Sequence, residues 1–147
     1  MKMPYDFASW TWILNGVTLG GFAKGDDVVT VKRRTDSFSD EVGADGRMTV
    51  FRSRDRSGEV TFKFAADSAS NTYLGTLCEL QEGGPATFVP IRFYAKDQAL
   101  QDVAIGTVGY IKKPADFGRG EKPSDMEWTL VIERTDHTYG GASIFDL

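Results

Sequence analysis

One cysteine and one histidine stand in this chain of 147 residues, and those two scarcities exclude more than any motif present. Cys78 alone allows neither an intrachain disulfide framework nor a thiolate metal cage. His137 alone rules out a multi-histidine metal site, and it would have to be the base of any Ser–His–Asp system. No nucleophile elbow accompanies it, and its place near the chain end reads as a polar strand connection. No apolar run approaches the length needed to span a bilayer, and the opening MKMPYDFASWTW has no signal-peptide core. The expectation is a non-exported, disulfide-free protein without membrane insertion.

Phosphate loops are missing too. Gly118-Arg119-Gly120-Glu121-Lys122 has glycines and a lysine without Walker spacing or a strand–helix context. Asp36, Asp40, Glu41 and Asp45 do not follow the calcium-loop spacing of an EF-hand. Acidic residues are too common in soluble chains for spacing to nominate a glycosidase pair. No catalytic residue, metal ligand or cofactor is expected. Net charge is -4, the wrong sign for a protein whose main task is to grip phosphate backbone.

What is present is a folded-protein composition, 41% hydrophobic and 26% charged, at a length that predicts one domain over residues 1–147. Ser9 to Leu14 reads as a strand, Asn15-Gly16 as a hairpin turn, and Val17 to Leu19 as the return. Val28 to Arg33 and Glu59 to Ala65 alternate as half-buried strands, with Val60, Phe62 and Phe64 sharing a face. Asp67, Ser68 or Ser70 caps a helix in which Tyr73, Leu74, Leu77, Cys78 and Gln81 keep helical spacing. Leu80 joins its apolar face, Gly75 suits a close sheet contact, and Gly83-Gly84-Pro85 ends it. Strands are expected over Thr87–Tyr94, with Pro90 marking an edge or bulge, and over Asp102–Ile111, Met126–Thr135 and Ala142–Phe145. A loop fills Lys112–Asp125. The predicted fold is mainly β: an antiparallel sandwich or barrel with one flanking α-helix.

Between the two alternating strands lies a long, charged β-excursion near residues 33–58. It has turn chemistry at Gly43-Ala44-Asp45-Gly46 and Asp55-Arg56-Ser57-Gly58 around a short strand, Met48–Ser53. Arg33, Arg34, Arg47, Arg52, Arg54 and Arg56 are interleaved with Asp36, Asp40, Glu41, Asp45, Asp55 and Glu59. Arginines so matched by acids suit a solvated or intersubunit charge network better than a nucleic-acid face, which carries a surplus. Phe38 and Val42 stand as apolar groups in an otherwise polar loop, able to fold onto their own body or dock on a neighbour. A self-assembling structural protein and a monomeric β-sandwich adaptor or binding module both remain open.

The segment SWTWILNGVTLGGFAKGDDVVTVKRRTDSFSDEVGADGRMTVFRSRDRSGEVTFKF, followed by the helix SASNTYLGTLCEL, resembles the tail-tube proteins of contractile-tailed bacteriophages. Asn15-Gly16, Phe22-Ala23, Val42-Gly43-Ala44-Asp45-Gly46, Arg54 and Arg56-Ser57-Gly58 carry the resemblance. It implies a structural subunit with a fold shared with the ring-forming tube protein of type VI secretion. It also implies hexameric rings stacked into a helical tube, with DNA passing transiently and non-specifically through the lumen. The implied partners are other copies of the chain, the tail sheath, the baseplate or tail terminator, and the tape-measure protein. The implied place is the virion tail, assembled in the bacterial cytoplasm. The excursion would then reach neighbouring subunits through Arg33, Arg34, Asp36, Phe38, Asp40, Glu41, Val42, Asp45, Arg47, Arg52, Arg54 and Arg56.

Overall fold

The computed structural model describes residues 10–25, 28–97, 102–118, 120–121 and 124–138. The chain opens with β1 (Trp10–Leu14) and β2 (Val17–Thr18), joined at Asn15-Gly16. Both turn residues have positive φ, 50° and 83°, the geometry of a two-residue turn whose twist matches that of the flanking strands. After β3 (Val29–Arg33) come β4 (Phe38–Val42) and β5 (Met48–Arg52), then β6 (Gly58–Phe64) and the helix α1 (Ala69–Glu82). The last elements are β7 (Ile91–Asp97), β8 (Val103–Lys113) and β9 (Met126–Thr138).

Seven strands form one sheet in the order β2-β1-β7-β8-β9-β6-β3, and β4 and β5 form a separate two-stranded sheet. Every pairing is antiparallel. β6 alternates buried and half-buried along its length, with Val60, Phe62 and Phe64 at 0–1% exposure. That alternation gives the sheet one dry face, lined also by Leu14, Ile91, Phe93, Leu130 and Ile132. Each such side chain contributes about 1.5–3 kcal/mol on burial. The sheet curls, because Trp12 of β1 meets Phe62 of β6 edge to face at 5.8 Å although three strands separate β1 from β6. The segment between β2 and β3 closes the curl: Phe22 bridges to Phe64 and their rings stack at 4.9 Å. A mainly β architecture with one flanking helix is the result.

α1 covers the dry face. Ser68 is its N-cap and accepts from the Ser70 amide at 3.2 Å, and the Gly83 amide donates to the Glu79 carbonyl at its end. Leu74, Leu77 and Cys78 are buried beneath it. Two amide side chains fix it to the sheet. Asn71 accepts from the Trp128 indole at 3.0 Å and donates to the Ala65 carbonyl at 2.8 Å. Gln81 accepts from the Ile111 amide at 2.9 Å and donates to the Val89 carbonyl at 2.8 Å. A Cβ at Gly75 would sit 3.9 Å from the Trp128 ring, an ordinary van der Waals contact, so the helix faces the sheet there without an approach that requires glycine.

Several expectations need correction. Phe38–Val42 is not a loop but strand β4, because it pairs residue for residue with β5. Leu80 is 38% exposed and leaves the helix's buried face. β7 starts at Ile91, so Pro90 lies outside it; an interior strand between β1 and β8 needs every amide for its ladder. The irregularity expected at Pro90 is a register shift between Ile91 and Phe93. Lys112 and Lys113 extend β8, and β9 runs on to Thr138, so His137 is a strand residue paired with Ala104. Val131 is buried although it alternates with the core face. The expected strand Ala142–Phe145 lies outside the described residues.

Candidate assembly arm

Residues 34–57 leave the body as a hairpin arm. Its tip is set by turn chemistry: Gly46 has φ +82°, its amide donates to the Gly43 carbonyl at 2.9 Å, and Asp45 accepts from the Arg47 amide at 3.1 Å. Every residue of β4 and β5 is exposed. Strand register then decides what each face of the arm presents. Directly paired residues share a face, and the pairs are Phe38↔Arg52, Asp40↔Val50 and Val42↔Met48. One face therefore carries Phe38, Val42, Met48 and Val50, at 61%, 63%, 58% and 59% exposure, around Asp40 with Arg52 at the base. The other face carries Ser39, Glu41, Thr49 and Phe51. A contiguous apolar face on a projecting arm is the mark of a contact surface.

At the root, one carboxylate holds both legs of the arm. Asp136 of β9 lies 3.2 Å from Arg56, 3.8 Å from Arg33 and 3.0 Å from Arg134. Arg33 also donates to the Thr135 carbonyl at 3.1 Å, and the Thr135 amide donates to the Arg56 carbonyl at 2.8 Å. Burial by itself would raise the Asp136 pKa; hydrogen bonds and charge from Arg134 and Arg56 outweigh it and hold the carboxyl below its ordinary value. Asp55 is held low by the Ser57 hydroxyl and amide, which donate to it at 2.6 Å and 2.9 Å and tighten the turn into β6.

Placed on this geometry, the twelve candidate contact residues divide. Arg33 and Arg56 are engaged by Asp136 of their own chain, and Arg47 pairs locally with Asp45 at 3.8 Å. Arg34, Asp36, Asp40, Glu41, Arg52 and Arg54 make no ion pair among the described residues. Phe38 and Val42 share the apolar face. Sequence reasoning missed Met48 and Val50, whose alternation with Thr49 and Phe51 was the available signal. It also missed Asp136 and Arg134, whose role only the pairing of β9 with its neighbours reveals.

Reactive chemistry finds no such convergence. Burial, then Glu82 at 3.5 Å, pushes the Cys78 thiol up, away from the thiolate a nucleophile needs. Burial, then Arg33, pushes His137 down, with Asp136 opposing. Among the described residues no cluster of His, Cys, Asp and Glu could hold a metal ion, and no helix is long and apolar enough to cross a membrane.

Comparisons with known proteins agree with the mainly β fold and its flanking helix. Residues 13–140 match the family described as bacteriophage PhiTE tail tube protein. Structural protein ORF10 of Pseudomonas phage KPP10 is 26% identical over 124 residues, covering 84% of this chain and 71% of that protein. The sheath/tube terminator of an extracellular contractile injection system (PVC) superposes with TM-score 0.69 at 9% identity, covering 93% of this chain and 98% of that one. The tube-terminating cap of the anti-feeding prophage gives TM-score 0.61 at 8% identity, covering 95% and 93%. At such identities the structural matches speak for the fold. The family match covers most of the chain: this protein belongs to the PhiTE-type bacteriophage tail tube family, and is a structural component of a phage tail, not an enzyme.

Proposed function

We propose that the chain is the repeating subunit of a contractile tail tube, a single tube-like domain over residues 1–147 that forms stacked hexameric rings. DNA would pass through the lumen during ejection, its phosphates repelled and not held by subunits of net charge -4. The observation that carries the reading is the arm, whose apolar face stands exposed and has no partner among the described residues of its own fold. Covering Phe38, Val42, Met48 and Val50 would contribute ~4–7 kcal/mol of gross hydrophobic gain per arm, from which the entropy of association is subtracted. That gain is of the same order as the ~4–15 kcal/mol that association costs, so the arm would act together with the sheet edges and the polar rim around a ring and along a tube. Arg34, Asp36, Asp40, Glu41, Arg52 and Arg54, which make no ion pair among the described residues, would form its polar rim, where charge sets register more than strength.

Joining subunits would also cover the open edges β2 and β3. The outer surface would face the sheath; PVC terminator and sheath-tube chains with this fold come from assemblies of that kind. Baseplate, terminator and tape-measure proteins would complete the contacts, and assembly would take place in the bacterial cytoplasm. Serine at Phe38, Val42, Met48 and Val50 together should leave the monomer's circular dichroism and Tm unchanged while abolishing rings and tubes under the electron microscope. Normal tubes from that variant would sink the arm's role.

A further inference from the structure

The face of the sheet opposite α1 carries an apolar row that crosses three strands. Ile13 pairs with Tyr94, and Tyr94 pairs with Ile105, so the three side chains lie in register across β1, β7 and β8. Their strand neighbours Leu14, Phe93 and Ala104 are buried on the other side. Tyr94 and Ile105 are 39% and 42% exposed, and the row floors an open groove of about 380 Å³ that Arg92 borders. Arg92 is exposed and its side chain makes no ion pair among the described residues.

We propose that this groove is the seat for the arm of a second copy, an inference that rests on the tube-subunit reading above. Charge points to that occupant, and strand spacing is compatible with it. On the arm, Asp40 stands two residues from Val42 along β4; in the groove, Arg92 stands two residues from Tyr94 along β7. Two residues along a strand span ~6.6–6.8 Å in either case. Laid with Val42 and Met48 on the Ile13–Tyr94–Ile105 row, and with β4 directed so that Asp40 lies on the Arg92 side of Tyr94, the arm sets a carboxylate against a guanidinium, neither of which has an ion pair among the described residues. The contact joins two different patches of identical chains, the heterologous kind that closes into rings or extends into tubes.

Charge reversal tests this in trans. Asp40→Arg and Arg92→Asp are exposed substitutions, and circular dichroism and Tm should show both variants folded. Each alone sets like charges against each other at the seat, and assembled protein should fall at least roughly tenfold below wild type, since like-charge juxtaposition costs several kcal/mol. An equimolar mixture restores opposite charges at every contact, so assembly should return with the two variants in equal amounts. A seat filled by the chain's own arm would gain nothing from mixing. Wild-type-like assembly of Arg92→Asp, or a mixture that stays unassembled, overturns the seat while leaving the tube reading intact. Absence of rings and tubes from the wild-type chain itself would overturn both.

Discussion

Replacing Asp136 by Asn isolates what the root of the arm contributes. The substitution keeps the shape of the side chain and removes the one negative charge shared by Arg33, Arg56 and Arg134. All four side chains are partly exposed, Asp136 at 43%, so solvent screens the pairs and each is worth only ~0.3–0.6 kcal/mol. Three pairs then give about 1–2 kcal/mol, and the guanidiniums left facing one another add to the loss. In a chain of 147 residues that lowers Tm by roughly 3–7 °C. Hydrogen exchange should rise first at Arg34 and Thr135, whose amides close the root against Ser57 and Arg56. The sign with pH follows from the depressed pKa of Asp136. Its contribution is complete above the unfolded value of about 3.9 and vanishes as pH falls through the lower folded value. Wild type and variant should therefore differ at neutral pH and converge in strong acid. Salt at ~1 M should narrow the gap, because the pairs are exposed. An unchanged Tm at neutral pH, with unchanged exchange at the root, would refute the idea that Asp136 holds the two legs of the arm together.

Gly109 is a packing position: a Cβ there would come within 2.7 Å of the Val131 carbonyl oxygen and collide with the Ile132 side chain. Gly109→Ala should cost ~1–3 kcal/mol, read by urea unfolding, and no loss would show that β8 and β9 can separate freely there. His137 is half-buried with its Nε2 lacking a hydrogen-bond partner among the described residues, and burial depresses its pKa. The unfolded chain therefore binds the proton first, so stability should decline as pH falls below about 6.5. His137→Gln should flatten that slope, and an NMR titration midpoint above 6.5 would contradict the assignment.

The parts of the fold written in local pattern were the legible ones. Asn15-Gly16 announces its turn, Val60-Phe62-Phe64 its core face, and Ser68 with Leu74, Leu77 and Cys78 its helix, because each signal is a property of adjacent residues. Errors arose where partners distant in sequence decide the outcome. Phe38-Ser-Asp-Glu-Val is too polar to look like a strand, and it is one because β5 pairs with it in full. Pro90 sits in a run of strand formers, but the interior place of β7 between β1 and β8 excludes it. The interleaved arginines and acids of the excursion suggest a solvated or intersubunit charge network. Two of those arginines, Arg33 and Arg56, turn to Asp136 of their own chain, which lies 80 residues from Arg56 in sequence and comes near only through the pairing of β6 with β9. Alternation with Thr49 and Phe51 marks Met48 and Val50 as one face, and the register places that face beside Phe38 and Val42.

Electron microscopy of the assembled wild-type chain tests the tube-subunit reading most directly. Sixfold rings stacked along an axis, with each arm lying against a neighbouring copy, are the expected image. Particles in which the face bearing Phe38, Val42, Met48 and Val50 stays in solvent, or a chain that remains monomeric inside intact tails, would contradict it.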